Sequence, residues 1–125
     1  MGLTNTFFFD TYAFFEILDG NPAYAPYIKE VSIITTKFNL LELHYGILSS
    51  QGKAEADRKY DEYVGFTLPI EDLIFKRASE FRAQHKKRKL SYVDCIGYML
   101  AKTMGVKFLT GDKQFEYLEN VEFVK

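Results

Sequence analysis

The stretch Leu3-Thr4-Asn5-Thr6-Phe7-Phe8-Phe9-Asp10-Thr11-Tyr12-Ala13-Phe14-Phe15-Glu16-Ile17-Leu18 decides the fold. Its first half, residues 3–9, is short, apolar and aromatic-rich, the pattern of a buried strand. It stops at Asp10-Thr11, and Ala13, Phe14, Ile17 and Leu18 then recur at helical spacing. Asp19-Gly20-Asn21-Pro22 closes that helix with turn chemistry.

Working outward, the same alternation continues. We expect a short helix over 23–30, a β-branched strand over 31–36 and a helix over 37–50 with Phe38, Leu41, Tyr45 and Leu48 on one apolar stripe. A more polar helix follows over 53–64, then a short strand or extended connector over 66–70. Residues 71–89 read as a helix with Leu73, Ala78 and Phe81 inward. Residues 91–103 read as another, capped by Ser91 and stopped by Gly105. A strand over 106–109, a turn at Thr110-Gly111-Asp112, a short helix over 114–118 and a strand over 121–124 complete the chain. Strands alternating with helices predict one α/β domain over residues 1–125, a parallel sheet sandwiched between helical layers. In such sheets the binding crevice lies beyond the carboxyl ends of the strands, at a switch in strand order.

Composition narrows the function. The chain has 125 residues, enough for one core without disulfide or metal staples. Lys and Arg number 16 against 17 Asp and Glu, a net charge of −1, which excludes a globally basic nucleic-acid binder and leaves room for a local basic patch. A single cysteine, Cys95, excludes an internal disulfide and every Cys-rich zinc motif, and suits a reducing compartment. Nothing reads as a signal peptide or membrane span, since Asp10 interrupts the Phe7–Phe9 run; the expectation is a cytoplasmic protein.

Four acids fall where the crevice is expected. Asp10 follows the first strand, Asp112 follows the strand over 106–109, Glu42 lies early in the helix after the second strand, and Asp94 sits in the first turn opened by Ser91. Three of them also admit plainer readings. Asp10 can cap a helix, Ser91 and Asp94 have the spacing of a capping box, and Asp112 can be a turn residue. Glu42 is harder to explain that way, because it lies between Phe38 and Tyr45 with no Lys or Arg one turn away. Clustered carboxylates repel, and a divalent cation removes the conflict. All-oxygen ligands select Mg²⁺ or Mn²⁺ over zinc, and such a site suits phosphodiester cleavage by metal-activated water. His44 and His85 are not spaced to join these acids and read as surface or packing residues.

Phe8-Phe9-Asp10-Thr11, Thr35-Thr36 through Leu41-Glu42, Leu90-Ser91-Tyr92-Val93-Asp94 with Cys95, Gly97 and Ala101, and Phe108-Leu109-Thr110-Gly111-Asp112 with Phe115 resemble, in order and spacing, the PIN domain and within it the VapC-type toxin ribonucleases. The resemblance implies a PIN-like fold and a metal-dependent RNase with Asp10, Glu42, Asp94 and Asp112 as its acidic, metal-holding site. Thr11 and Thr110 match hydroxyl positions that support the acids. It also implies a homodimer and a cognate antitoxin protein that blocks the active-site groove. The chain departs from the pattern at Gly111, where a basic residue is frequent, and at Cys95-Ile96-Gly97, where an Ala-rich run is more usual. The rival reading is a catalytically silent module of the same fold that binds RNA or protein.

His85-Lys86-Lys87-Arg88-Lys89 is the one dense basic run. It reads either as a patch for RNA phosphates beside Asp94 or as the solvated end of a helix. Cys95 reads as a small core residue with no His near it. Tyr12 stands where aspartyl-phosphate chemistry wants a second Asp, and no Gly-rich phosphate loop is present.

Overall fold

Phe8 and Phe9 turn to opposite faces of one sheet, and the architecture follows from that alternation. The structure, a computed structural model, describes residues 5–125. Leu3 and Thr4 of the expected first strand lie outside them. Strand β1 (Thr6–Phe9) is followed by α1 (Thr11–Leu18), a 3₁₀ segment (Pro22–Tyr27) and β2 (Ser32–Ile34). Helices α2 (Lys37–Gln51), α3 (Lys53–Tyr63), α4 (Asp72–Gln84) and α5 (Tyr92–Met104) follow, and then β3 (Lys107–Thr110) and β4 (Val121–Phe123). All strand pairs are parallel, in the order β2-β1-β3-β4.

Phe8 and Phe108 meet Ile74, Ala78, Phe81, Ile96 and Ala101 of α4 and α5 on one face. Phe9 and Leu109 meet Ala13, Phe14, Leu40, Leu43 and Ile47 of α1 and α2 on the other. Each fully buried side chain of this kind contributes about 1.5–3 kcal/mol. The expected sandwich, with helices on both faces, is the one observed. Gly97 lets α5 lie close on the sheet, since a Cβ there would stand 2.8 Å from the Phe8 ring. Among the described residues no helix is long and apolar enough to cross a membrane.

Three local expectations are corrected. The Phe38, Leu41, Tyr45 and Leu48 stripe does not face the core: Leu41 is 63% and Tyr45 69% exposed. Leu40, Leu43 and Ile47 form a second series at helical spacing, and that series is buried. Spacing alone does not tell which of two apolar series the neighbouring elements cover. Leu73 is likewise exposed, and Ile74 replaces it beside Ala78 and Phe81. Finally, α4 stops at Gln84, so residues 86–89 form a turn and its exit rather than helix. Residues 66–70 are the extended-connector alternative, with one parallel bridge from Thr67 to Thr35.

Candidate active site

Sheet order reverses between β1 and β3, because β2 lies on one side of β1 and β3 and β4 on the other. The crevice expected at that switch opens where both strands end. Asp10 leaves β1 there, its backbone N–H donating to the Leu109 carbonyl at 3.2 Å, and Thr110 ends β3. Asp10 occupies the N-cap position of α1, yet its carboxylate makes no capping bond. It accepts instead from the Thr110 hydroxyl at 2.8 Å. The plain capping reading therefore fails for this residue.

Asp10 is only 4% exposed. Burial, reinforced by the charges of Asp94 and Glu42, pushes its carboxyl up to about 7, against the opposing pull of the Thr110 hydroxyl and the Thr11 amide. Asp94 is raised as well, chiefly by burial, with Asp112 and Glu42 adding repulsion and its bonds to Ser91 opposing. The four acids are thus linked electrostatically: Asp10 with Asp94 and Glu42, and Asp94 with Asp112 and Glu42.

Each acid is also held by a neighbour. Asp94 Oδ2 accepts from the Ser91 backbone at 2.8 Å, and the Ser91 hydroxyl accepts from the Asp94 amide, so the capping box and the acidic position coexist in one residue. Asp112 Oδ1 accepts from the Gln114 amide at 3.0 Å, and the Asp112 amide donates to Thr110 Oγ1 at 3.1 Å. Glu42 is half-buried rather than sealed in the core, and Thr11 Oγ1 donates to its Oε1 at 2.7 Å. That contact answers the cost expected for an unpaired carboxylate on an apolar flank.

Thr11 is itself placed by a residue the sequence reading missed. Asn39, fully buried, donates from Nδ2 to Thr11 Oγ1 at 3.1 Å and accepts at Oδ1 from the Thr36 hydroxyl at 2.6 Å. Thr36 caps α2 through the Asn39 amide. The signal available in sequence was Thr36 followed three residues later by Asn39, a variant of the capping-box spacing.

Among the described residues, no three His, Cys, Asp or Glu side chains are drawn into a ready-made metal cluster. The donor set nonetheless fits a hard dication. Its ligating atoms are carboxylate oxygens, and the Asp10 carboxyl, raised to about 7 by burial and like charge, becomes a comfortable anion only beside a cation. The remaining singled-out residues have ordinary surroundings. His44 Nε2 lies 2.7 Å from Asp57 Oδ1, His85 Nδ1 lies 2.9 Å from the Phe81 carbonyl, and Cys95 is fully buried, its thiol pushed up to about 11 by burial. Tyr12 and the Val124 carbonyl fill the space beside Gly111, so a longer side chain has no room there.

The family model for the PIN domain matches residues 7–121. Solved structures share the fold. A Mycobacterium tuberculosis toxin, VapC20, described as cleaving the sarcin-ricin loop, superposes with TM-score 0.78 at 16% identity, covering 95% of this chain and 99% of its own. A DNA-bound VapBC complex from Salmonella typhimurium gives 0.74 at 17% identity, with 94% and 96% covered. A toxin–antitoxin complex from Klebsiella pneumoniae gives 0.71 at 16% identity, with 91% and 93% covered. No curated protein matches the chain significantly.

Proposed function

Since the chain belongs to the PIN domain family, we propose that it is a metal-dependent endoribonuclease, the toxin of a type II toxin–antitoxin pair. The observation that carries this reading is the Asp10 carboxyl, buried at the strand switch and raised to about 7 beside Asp94 and Glu42. Carboxyl groups whose protonation is shifted by burial and like charge in a crevice are a functional-site signature. Asp10, Glu42, Asp94 and Asp112 would hold Mg²⁺ or Mn²⁺. When bound, such an ion supplies charge neutralisation and water activation for phosphodiester hydrolysis.

The chain's own residues prepare that step. Thr110 fixes Asp10 Oδ2, Ser91 fixes Asp94 Oδ2, and Thr11, held by Asn39, fixes Glu42 Oε1. Three acids are therefore oriented before any ligand arrives, and the cost of ordering them is met by folding. Burial of Asp10 keeps bulk water from the innermost acid.

RNA is the substrate class we infer, in line with the toxin relative described as cleaving the sarcin-ricin loop. An antitoxin protein is the partner we infer from the complexes that share the fold. The exposed face of α2 supports a protein covering. Leu41 and Tyr45 stand in solvent, and Phe38, Pro69, Ile70 and Phe75 line an apolar depression of about 490 Å³. We extend the proposal to a homodimer working in the cytoplasm.

The test is manganese- or magnesium-dependent cleavage of purified RNA, abolished by chelator and by Asp94→Asn with folding intact. Unchanged cleavage and growth inhibition in Asp94→Asn would overturn the reading. RNA or protein binding without cleavage in either metal would establish the silent module in its place.

A further inference from the structure

The basic turn after α4 is electrostatically unanswered and anchored at the rim of the acidic site. Arg82, Lys86, Lys87, Arg88 and Lys89 form no ion pair with a carboxylate among the described residues. Their fixed contacts are to neutral groups. Arg82 Nε donates to the Leu90 carbonyl at 3.0 Å, Arg88 Nη1 to the Gln114 carbonyl at 2.5 Å, and the Lys89 amide to Gln114 Oε1 at 3.0 Å. Gln114 is also the residue whose amide holds Asp112. The C-terminal end of the turn is therefore tied beside Asp112 and runs on through Leu90 into the Ser91–Asp94 cap.

Tyr92 lies in sequence between this turn and Asp94. It is the first residue of α5 and is 68% exposed. The Arg82 guanidinium lies 4.4 Å from its ring centroid, which steadies one face and leaves the other open to solvent. Beside the pair is a depression of about 240 Å³ lined by Ser79, Arg82, Ala83, Lys86 and Tyr92. A smaller one of about 100 Å³ is lined by Arg82, Lys86, Arg88 and Leu90. An exposed aromatic face next to unpaired, pre-positioned cations is the combination that binds single-stranded nucleic acid.

We propose that Tyr92, Arg82, Lys86 and Arg88 form a site for a nucleotide flanking the scissile phosphate, with the base stacked on the open face of Tyr92 and a backbone phosphate held by the cations. This deepens the ribonuclease reading and rests on it. The site would hold an unpaired nucleotide, because a base inside a helix cannot reach an aromatic platform. It is sequence-tolerant, since every base has a face to stack.

The test uses the full chain carrying Asp94→Asn, with fluorescence anisotropy of a labelled RNA hairpin with an unpaired loop, titrated across salt concentrations. Lys86→Ala should reduce the slope of log affinity against log salt by about 0.7–0.9. Tyr92→Ala should weaken binding about 5- to 150-fold with little change in that slope. Tyr92→Phe should bind like its parent. Both positions are exposed, so folding is not at stake. Unchanged affinity and slope in Tyr92→Ala and Lys86→Ala, with the wild-type chain still cleaving RNA, overturns this site and leaves the nuclease reading standing. Absence of RNA binding in the parent together with absence of cleavage in the wild type overturns both.

Discussion

The Thr110 hydroxyl donates to Asp10 Oδ2 at 2.8 Å and joins the end of β3 to the end of β1 across 100 residues of sequence. Both residues are buried, so the bond does two things: it satisfies an acceptor that water cannot reach, and it fixes the direction of the innermost acid. Thr110→Val keeps the shape and removes the donor. Leaving that acceptor unsatisfied should cost about 1–3 kcal/mol of stability. RNA cleavage should fall about 10- to 100-fold, the usual effect of losing an orienting partner. Thr110→Ser should restore both, as thermal denaturation and a cleavage assay would register. A valine variant that cleaves like the wild type would remove Thr110 from any positioning role.

Asp10 also predicts how stability depends on pH in the metal-free protein. Its carboxyl is raised from 3.8 to about 7 in the folded chain, so the folded state binds the proton more tightly than the unfolded one. The resulting stabilisation is fully present below about pH 4 and is lost as pH rises through about 7. The total is on the order of 4 kcal/mol. Asp10→Asn should abolish this trend, giving a chain more stable than wild type above pH 7 in chelator. Parallel denaturation curves for the two proteins across that range would contradict it.

A dication should reverse the same penalty. Above pH 7, Mn²⁺ should raise the melting temperature of the wild type, by about 2.7 kcal/mol of stability at a hundredfold excess over its dissociation constant. At the proposed site protons and metal would compete for Asp10, so the shift should shrink as pH falls and should be largely missing in Asp10→Asn. An equal shift in both proteins would mean that the ion binds elsewhere.

The fold was legible because its signals are local. Phe7–Phe9 running into Asp10 marks a buried strand and its carboxyl end, and Ser91 with Asp94 marks a helix start that the structure reproduces bond for bond. What failed required knowing which neighbours cover a surface. Helix α2 carries two apolar series, and only the packing of α1 and the sheet selects Leu40, Leu43 and Ile47 over Leu41 and Tyr45. The four acids could be picked out one by one as candidates, but the side chains that hydrogen-bond to them could not all be. Asn39 is polar, buried and bonded to Thr11, 28 residues away, and nothing in its spacing announces that contact.

Thr11 carries the next expectation. It accepts from Asn39 and donates to Glu42, so it passes the orientation of a buried amide to an acid at the crevice. Thr11→Val breaks both bonds on a half-buried site and should cost about 1 kcal/mol of stability. Cleavage should drop about 10-fold or more, mainly in kcat, with RNA binding unchanged. Thr11→Ser should recover most of the rate. If kcat holds while KM alone rises, Thr11 acts on substrate binding instead and the chain from Asn39 to Glu42 has no catalytic consequence.

Gly111 separates Thr110 from Asp112, and its lack of a side chain is a requirement of packing. A Cβ there would stand 2.2 Å from the Val124 carbonyl and 2.5 Å from the Tyr12 ring. The ring can swing aside, but the carbonyl accepts from the Tyr24 hydroxyl at 2.7 Å and belongs to backbone that continues β4. Gly111→Ala should therefore push the Thr110–Asp112 segment outward and cost about 1–3 kcal/mol. Cleavage should fall further than that stability loss explains, because Asp112 and the Thr110 hydroxyl move with it and Asp10 loses its donor. Tyr12→Ala should rescue little, since the closer obstacle is backbone. A Gly111→Ala chain with wild-type melting temperature and wild-type cleavage would show that β4 yields easily, and that the small residue beside Asp112 is incidental.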